Sequence, residues 1–169
     1  MAFHAVERSA LVTALREAGP CAPTLCEGWR TEHLAAHVAL RESSLVAAGA
    51  AVPSLAARAE AAIQALGSRS ASPANFEALV ARVADGPPRR HPMRLAGDTV
   101  NLLELFVHTE DVRRGTTTAA TPPRERSAEH AAALWGQLRR MGRLAYRRAG
   151  VGVVLSTPEG EARVARATE

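Results

Sequence analysis

The sequence predicts a mainly α-helical protein that ends in a short β-hairpin. Apolar residues recur at intervals of three or four through most of the chain, which is the spacing of one helix face. Hydrophobic residues make up 47% of the chain but aromatic residues only 4%, so the core is built from Ala, Leu and Val. After Gly150 the pattern changes to alternation, which is typical of strands. A chain of 169 residues is long enough for a sizeable core.

The helix boundaries follow from capping and helix-breaking residues. Apolar periodicity between Gly- and Pro-rich stretches predicts helical segments at about 3–18, 31–48, 54–66, 73–84, 98–115 and 125–149. Gly19-Pro20 ends the first of these segments, and Gly49 ends the second. Thr31, Ser72 and Asp98 are the predicted N-caps of later segments, because their side-chain oxygens accept hydrogen bonds from free backbone N–H groups.

The tail is predicted to be a hairpin over Val151–Ala167. Pro158-Glu159-Gly160 supplies the turn signal between two apolar stretches. A lone hairpin is marginally stable in water, so this one is expected to pack on helices or to pair with another element. The predicted domains are therefore a helical bundle over residues 1–150 and a hairpin tail over 151–169 that packs on or extends it.

The net charge is +4, and all 21 basic residues are arginine. Five arginines recur at helical spacing in the last predicted helix: Arg139, Arg140, Arg143, Arg147 and Arg148. Two interpretations stay open, a solvated helix face or a site for an anionic partner or ligand. The arginines lack interleaved aromatic residues and any recognisable nucleic-acid-binding module, so no nucleic-acid partner is expected.

No feature of the sequence predicts export or membrane insertion. No apolar stretch approaches the roughly 18–20 residues that span a bilayer. The first residues lack a basic region followed by an apolar run, so no signal peptide is predicted. Cys21 and Cys26 form neither a Cys-x-x-Cys pair nor a disulfide framework. Both cysteines are expected to be reduced, and the protein is expected to be cytoplasmic with no membrane partner.

Glu104 and His108 form the most informative pair in the chain. They lie four residues apart in a largely apolar helix, so their side chains share one face. We predict that Val100, Leu103 and Val107 share this face and that it points into the core. A carboxylate in a core needs a positive partner to stay charged, and a divalent metal ion is one such partner. Carboxylate and imidazole together are a common ligand set for zinc.

His37 is the predicted third ligand. It lies on a second helix together with Leu34 and Val38, which mark the buried face of that helix. Three protein ligands leave open coordination positions, as in catalytic metal sites. His33 lies one turn earlier and is expected at the rim of the site, where it supports the ligands or contacts substrate.

Other interpretations of these residues are open at this stage. A histidine on an apolar helix face is often a core residue whose hydrogen bonds are satisfied. Glu104 and His108 are also close enough in sequence to pair with each other, or with Arg113 or Arg114.

Two stretches resemble a known family. Gly-Pro-Cys-Ala-Pro-Thr-Leu-Cys-Glu-Gly-Trp-Arg-Thr-Glu-His-Leu-Ala-Ala-His, over residues 19–37, resembles part of the DinB-like superfamily. More narrowly, it is similar to the metal-binding N-terminal domain of mycothiol-dependent maleylpyruvate isomerases. Asn-Leu-Leu-Glu-Leu-Phe-Val-His-Thr-Glu-Asp-Val-Arg-Arg, over residues 101–114, resembles the same group. Weaker similarity at 134–141 and 151–155 extends the resemblance over most of the chain.

The resemblance implies a DinB-like four-helix bundle with a divalent metal near one end. The metal is expected to be zinc, with Ni²⁺ as the alternative, and the implied ligands are again His37, Glu104 and His108. This sequence departs from the family at position 33, which is His where relatives often have Asp. It also departs at position 109, which is Thr where relatives often have a second His.

The function implied is a mycothiol-dependent transferase or isomerase. Its partners would be a small-molecule thiol, with mycothiol as cosubstrate, and an electrophilic substrate; homodimer formation is left open. A thiol at an open zinc site loses its proton and becomes a nucleophile at neutral pH. Arg113 or Arg114 would hold an anionic part of the thiol or substrate. The alternative is a metal-binding regulatory or partner-binding module without catalysis.

Overall fold

The computed structural model describes residues 2–43, 53–89, 91, 94, 97–115 and 121–167. These residues form the helices α1 (Phe3–Ala18), α2 (Thr31–Ser43), α3 (Pro53–Arg69), α4 (Pro73–Asp85), α5 (Gly97–Gly115) and α6 (Ala128–Ala145), followed by the strands β1 (Val153–Ser156) and β2 (Ala162–Arg166). The protein is therefore mainly helical with a small C-terminal hairpin, as the sequence predicts. None of the described helices has the length and apolar character needed to cross a bilayer.

The predicted helix bounds agree best where a strong breaking residue stands at the helix end. The first helix ends at Ala18, directly before Gly19, which has a φ of 72°. The last helix is shorter than the predicted segment 125–149. It begins after a Ser127 cap and ends at Ala145. The predicted end of the second helix, Ala48 before Gly49, lies outside the described residues.

Two predicted N-caps have different outcomes. The Ser72 side chain accepts a hydrogen bond from the Asn75 backbone N–H at 3.4 Å, so the cap of α4 is confirmed. The prediction for Thr31 is wrong, because Thr31 is the first residue of α2 and its hydroxyl donates to the Gly19 carbonyl at 2.7 Å. That bond ties the start of α2 to the end of α1.

Asp98 acts on a different helix from the one predicted. It lies within the first turn of α5, and its carboxylate accepts the backbone N–H groups of Phe3 at 3.2 Å and His4 at 2.7 Å. The His4 ring also lies 2.6 Å from the same carboxylate. Asp98 therefore caps α1, whose own N-cap residue, Ala2, has no side-chain oxygen.

The chain divides into two compact units, Met1–Pro123 and Arg124–Glu169. In the first unit, α1 packs on α4 and α5, and α2 packs on α1, α3 and α4. Their shared core consists of aliphatic residues and one aromatic ring: Leu11, Val12, Ala14, Leu15, Leu34, Ala35, Ala36, Val38, Ala39, Ile63, Phe76, Leu79, Val80, Val83, Leu105 and Val112. The domain assignment of 1–150 and 151–169 stays a prediction.

A buried ion pair ties three helices of the first unit together. The Arg8 guanidinium on α1 donates to both carboxylate oxygens of Glu42 on α2. It also donates to the Val83 carbonyl at 2.8 Å, near the end of α4. Only 11% of the Arg8 side chain and 2% of the Glu42 side chain are exposed.

In the second unit, the hairpin lies against α6. Strands β1 and β2 are antiparallel, and β2 packs on the helix. Gly142 allows this approach, because a Cβ atom at this position would lie 2.9 Å from Leu155 Cδ1. Gly160, with a φ of 90°, lies in the predicted Pro158-Glu159-Gly160 turn, and its N–H donates to the Thr157 carbonyl at 3.0 Å.

Candidate metal centre

The buried face of α5 differs from the one predicted around Glu104 and His108. Val100 and Val107, expected in the core, are 40% and 44% exposed. The prediction was wrong because the core-facing stripe is centred on Leu105 and runs through the residues one and two turns away: Asn101, Leu102, Thr109 and Val112. Glu104 and His108 lie at the flank of this stripe, partly buried.

The structure brings His37, Glu104 and His108 together. His37 Nε2 lies 3.0 Å from Glu104 Oε1, and His108 Nε2 lies 3.3 Å from the same oxygen. One ligand atom from each residue lies within 4.8 Å of the other two. The imidazole rings of His37 and His108 stand edge to face with their centroids 5.1 Å apart. Side chains from α2 and α5 thus converge on one carboxylate oxygen.

Arg41 joins this cluster and is absent from the sequence prediction. Its Nε lies 3.4 Å from Glu104 Oε1. Its two terminal nitrogens donate to Asn101 Oδ1 and to the Val100 carbonyl, each at 3.0 Å, so the guanidinium is fixed along α5. Arg41 follows His37 by four residues on α2, and that spacing is the signal that places both on one face.

The second nitrogen of His108 is held by Asp111. His108 Nδ1 lies 3.0 Å from Asp111 Oδ2, one turn further along α5. The thiol of Cys26 donates to the same oxygen at 3.2 Å. Cys26, His108 and Asp111 therefore form a second group with ligand atoms within 4.8 Å of one another. His-x-x-Asp spacing on a helix is the sequence signal for the first contact, whereas the thiol comes from a distant loop.

The loop that carries Cys26 is fastened to the end of α5. The backbone N–H of Leu25 donates to the Asp111 carbonyl at 3.1 Å. Gly115 permits close contact, since a Cβ atom there would lie 2.3 Å from Thr24 Cα. The loop is thus held beside His108 by a backbone hydrogen bond and by close packing on Gly115, which has no side chain.

Trp29 closes the cluster on the α2 side. The centroid of its ring system lies 5.1 Å from the His37 ring centroid. Its indole N–H donates to Glu60 Oε1 on α3 at 3.1 Å. Two helices therefore fix the position of the ring that contacts His37.

Hydrogen bonds and neighbouring charges within the cluster lower the pKa of Glu104 and raise the pKa of His108. Burial opposes ionisation of Glu104, but hydrogen bonds from His108 and His37 outweigh it and hold the pKa of the carboxyl well below its usual range. The positive charge of Arg41 acts in the same direction. Burial disfavours the charged form of His108, yet hydrogen bonds with Asp111 and Cys26 raise its pKa to about 11, and Glu104 contributes to the rise. Without a metal, the cluster is a balanced network that includes an imidazolium.

His33 lies apart from the three clustered residues. Its Nδ1 accepts a hydrogen bond from the Arg30 backbone N–H at 3.3 Å. Its ring packs on α3, where a Cβ atom at Gly67 would lie 2.5 Å from the His33 Cδ2 atom. The structure gives His33 a packing contact and a contact with the turn that precedes α2.

Arg113 and Arg114 are paired with Glu110. Arg113 donates to both Glu110 carboxylate oxygens at 2.8 and 3.0 Å, and also to the Pro122 carbonyl at 3.1 Å. Arg114 Nε donates to Glu110 Oε2 at 2.9 Å. The sequence allowed Arg113 or Arg114 to pair with Glu104. The structure pairs both with Glu110 instead, and Arg41 is the arginine that lies beside Glu104.

The arrangement unites three potential metal ligands and an arginine from two helices with a thiol from a loop. Comparisons of this chain with protein-family models, with curated proteins and with solved structures find no match.

Proposed function

We propose that the chain binds one divalent metal ion, zinc with Ni²⁺ as the alternative, through His37, Glu104 and His108. The observation that carries this proposal is the convergence of three ligand atoms within 4.8 Å of one another. One carboxylate and two imidazoles from two helices form a ligand set that zinc accepts, and they leave a coordination position open.

The contact between His108 and Asp111 supports the same proposal. A histidine ligand usually donates its second ring N–H to a carboxylate, which fixes the tautomer and the ring orientation. Here Asp111 lies 3.0 Å from Nδ1 and Glu104 lies 3.3 Å from Nε2. If a metal displaces the Nε2 proton of His108, the Nδ1 proton directed at Asp111 leaves the Nε2 lone pair for the metal.

The fixed charges favour an anion at the open position. With neutral imidazoles, Glu104 and Asp111 contribute two negative charges and Arg41 one positive charge. A divalent cation turns this net −1 into +1, and a monoanionic ligand such as a thiolate restores neutrality. In a partly buried site this compensation carries more weight than in bulk water.

We further propose that the chain has a DinB-like four-helix-bundle fold and that the protein is a mycothiol-dependent transferase or isomerase. A divalent ion at an open site lowers the pKa of a bound thiol and so supplies a thiolate nucleophile at neutral pH. The chain itself holds His37 against Trp29, fixes Glu104 with Arg41, and places the Cys26 thiol against Asp111, the partner of His108. An electrophilic small molecule is the proposed second substrate.

A metal-binding regulatory or partner-binding module is the second candidate. Arg113 and Arg114, expected to hold an anionic part of the substrate, are occupied by Glu110. That pairing favours a site that binds a metal and a partner without catalysis. The two candidates share the metal centre and differ in whether a thiol reacts there.

Zinc titration of ligand variants tests the metal proposal. His37→Ala and His108→Ala are each expected to weaken zinc binding by at least tenfold, because ligand removal also leaves buried polar groups without partners. His33→Ala is the matched control, since His33 lies on the same helix outside the cluster, and it is expected to keep wild-type affinity. Unchanged zinc stoichiometry and affinity in both ligand variants would contradict the assignment.

Cobalt substitution separates the two candidate functions. A small thiol, ideally mycothiol, is expected to generate a sulfur-to-cobalt charge-transfer band in the near ultraviolet with the wild-type protein. His108→Ala is expected to abolish the band. If millimolar thiol leaves the cobalt spectrum unchanged while cobalt stays bound, the transferase proposal is wrong and the metal is structural or regulatory.

A further inference from the structure

A cavity of about 400 Å³ lies between α6 and β2, and it is lined almost entirely by arginine. The lining residues are Gly136, Arg139, Arg140, Arg143 and Arg163. In α6, Arg139 and Arg140 each lie three or four residues from both Gly136 and Arg143, which is the spacing of one helix face. Arg163 comes from β2, on the face of the hairpin that also carries Ala165, which packs near Gly142. We refer to these five residues as the arginine pocket.

The whole net charge of the protein lies in this part of the chain. Residues 124–169 contain nine arginines and five glutamates, a balance of +4, whereas residues 1–123 contain twelve arginines and twelve carboxylates. The high pI therefore reflects one region and not a general excess of arginine over acidic residues. A region with this balance attracts anions.

Among the described residues, one carboxylate pairs with the arginines of the pocket. Arg139 donates to Glu161 Oε1 at 3.0 Å, and both side chains are about half exposed. In the part of the chain that the structure describes, no carboxylate pairs with Arg140, Arg143 or Arg163, and all three are exposed. Four arginines thus line one cavity, and one described carboxylate, Glu161, pairs with one of them. Bringing like charges together is unfavourable, and a bound anion relieves the repulsion.

We propose that the arginine pocket binds the phosphoryl group of a small molecule. Guanidinium groups present paired N–H donors that match phosphate oxygens in bidentate fashion. The cavity volume of about 400 Å³ falls within the range of small-molecule sites. Gly136 leaves one wall open, because a Cβ atom there would meet nothing within 4 Å.

A small ligand fits the pocket better than a nucleic acid does. Proteins that bind single strands use several aromatic side chains as stacking platforms along a groove. Here the Trp135 ring lies beneath the Arg139 guanidinium, and the distance from Arg139 Cζ to the centroid of the ring is 6.0 Å. The arginines converge on one cavity, which suits a compact multivalent anion.

Calorimetric titration with pyrophosphate and with inorganic phosphate, at constant ionic strength, tests this proposal. The double variant Arg143→Gln/Arg163→Gln is expected to weaken pyrophosphate binding by at least tenfold. Arg148→Gln is the matched control, because Arg148 is an exposed arginine just beyond α6 that does not line the pocket. It is expected to change binding by less than twofold. Tighter binding of pyrophosphate than of phosphate would identify a diphosphate ligand, and equal binding a single phosphoryl group.

A steric variant tests the shape of the pocket without changing its charge. Gly136→Leu keeps every arginine and fills the open wall, so it is also expected to weaken pyrophosphate binding at least tenfold. Three results would overturn the proposal: no pyrophosphate binding at millimolar concentration, equal weakening by the Arg148 control, or tighter, steeply salt-dependent binding of duplex DNA that Arg148→Gln also weakens. The last result would identify a nucleic-acid surface. None of these readouts depends on the proposed metal centre.

Discussion

The two compact units use arginine in opposite ways. In residues 1–123, arginines and carboxylates are equal in number, and Arg8 and Arg41 lie between helices in contact with Glu42 and Glu104. In residues 124–169, arginines outnumber carboxylates by four, and among the described residues no carboxylate pairs with three of the four arginines that line the cavity. Arginine thus holds helices together in the first unit and faces a cavity in the second. The same residue type therefore indicates a structural role or a ligand site according to whether a carboxylate meets it.

Removal of Glu42 is expected to give the largest effect on stability. The Glu42→Ala variant leaves Arg8, whose side chain is only 11% exposed, with the Val83 carbonyl as its remaining described hydrogen-bond partner. Breaking a buried ion pair by removing one partner typically costs about 3–5 kcal/mol. Urea unfolding followed by circular dichroism measures the loss.

Glu77→Ala is the control for that experiment. Glu77 also pairs with an arginine of α1, Arg16, but the two side chains are 49% and 55% exposed. Solvent screens such a pair, so the unfolding midpoint is expected to change little. Equal losses in the two variants would show that burial does not distinguish the pairs, and the contrast drawn between interior and surface arginine would fail.

The pH dependence of zinc binding gives the next largest effect. His108 has its pKa raised from 6.5 to about 11, so its stabilising charge is fully present below pH 6.5 and is lost as pH rises towards 11. The metal-free protein is therefore expected to lose stability across this window. Zinc must displace the proton, so its affinity is expected to rise with pH in the same window, by up to tenfold per pH unit.

Glu104 determines how the stability of the metal-free protein changes at acid pH. Its pKa is lowered from 4.5, so its contribution is present above pH 4.5 and is lost at more acid pH. Thermal melts of the metal-free protein across pH should place the maximum between 4.5 and 6.5. A metal-free protein that becomes more stable from pH 6.5 upwards would show that His108 is neutral in the fold and that the cluster is not the charged network described above.

The sequence was sufficient for the parts of the fold that depend on local signals. Gly19-Pro20 ends α1 and Ser72 caps α4, because helix breaking and N-capping act within a few residues. The meeting of His37, Glu104 and His108 was also expected, since Glu104 and His108 lie four residues apart on one helix and the resemblance linked that helix to the one that carries His37.

The rest depends on contacts between distant residues. Asp98 caps a helix that begins 95 residues earlier, which no local pattern reveals. The predicted buried face of α5 was wrong because Val100 and Val107 suggested an apolar stripe on their side of the helix. Packing against α1 instead buries the stripe through Leu105. Cys26 meets Asp111 across 85 positions because the loop is fixed by backbone bonds, and a side-chain pattern cannot report those.

The smallest expected effects concern two glycines of α6. Gly136→Ala is expected to stabilise the helix by about 0.5–1 kcal/mol, because alanine has the higher helix propensity and its Cβ atom meets nothing within 4 Å. Gly142→Ala gains the same propensity, but its Cβ atom would lie 2.9 Å from Leu155 Cδ1 and 3.4 Å from Ala165 Cβ, so the hairpin must shift. Thermal unfolding should therefore rank Gly136→Ala above wild type and Gly142→Ala below Gly136→Ala. If the two variants are equally stabilised, the hairpin does not press on α6 at Gly142, and the close approach of Leu155 and Ala165 to this glycine is wrong.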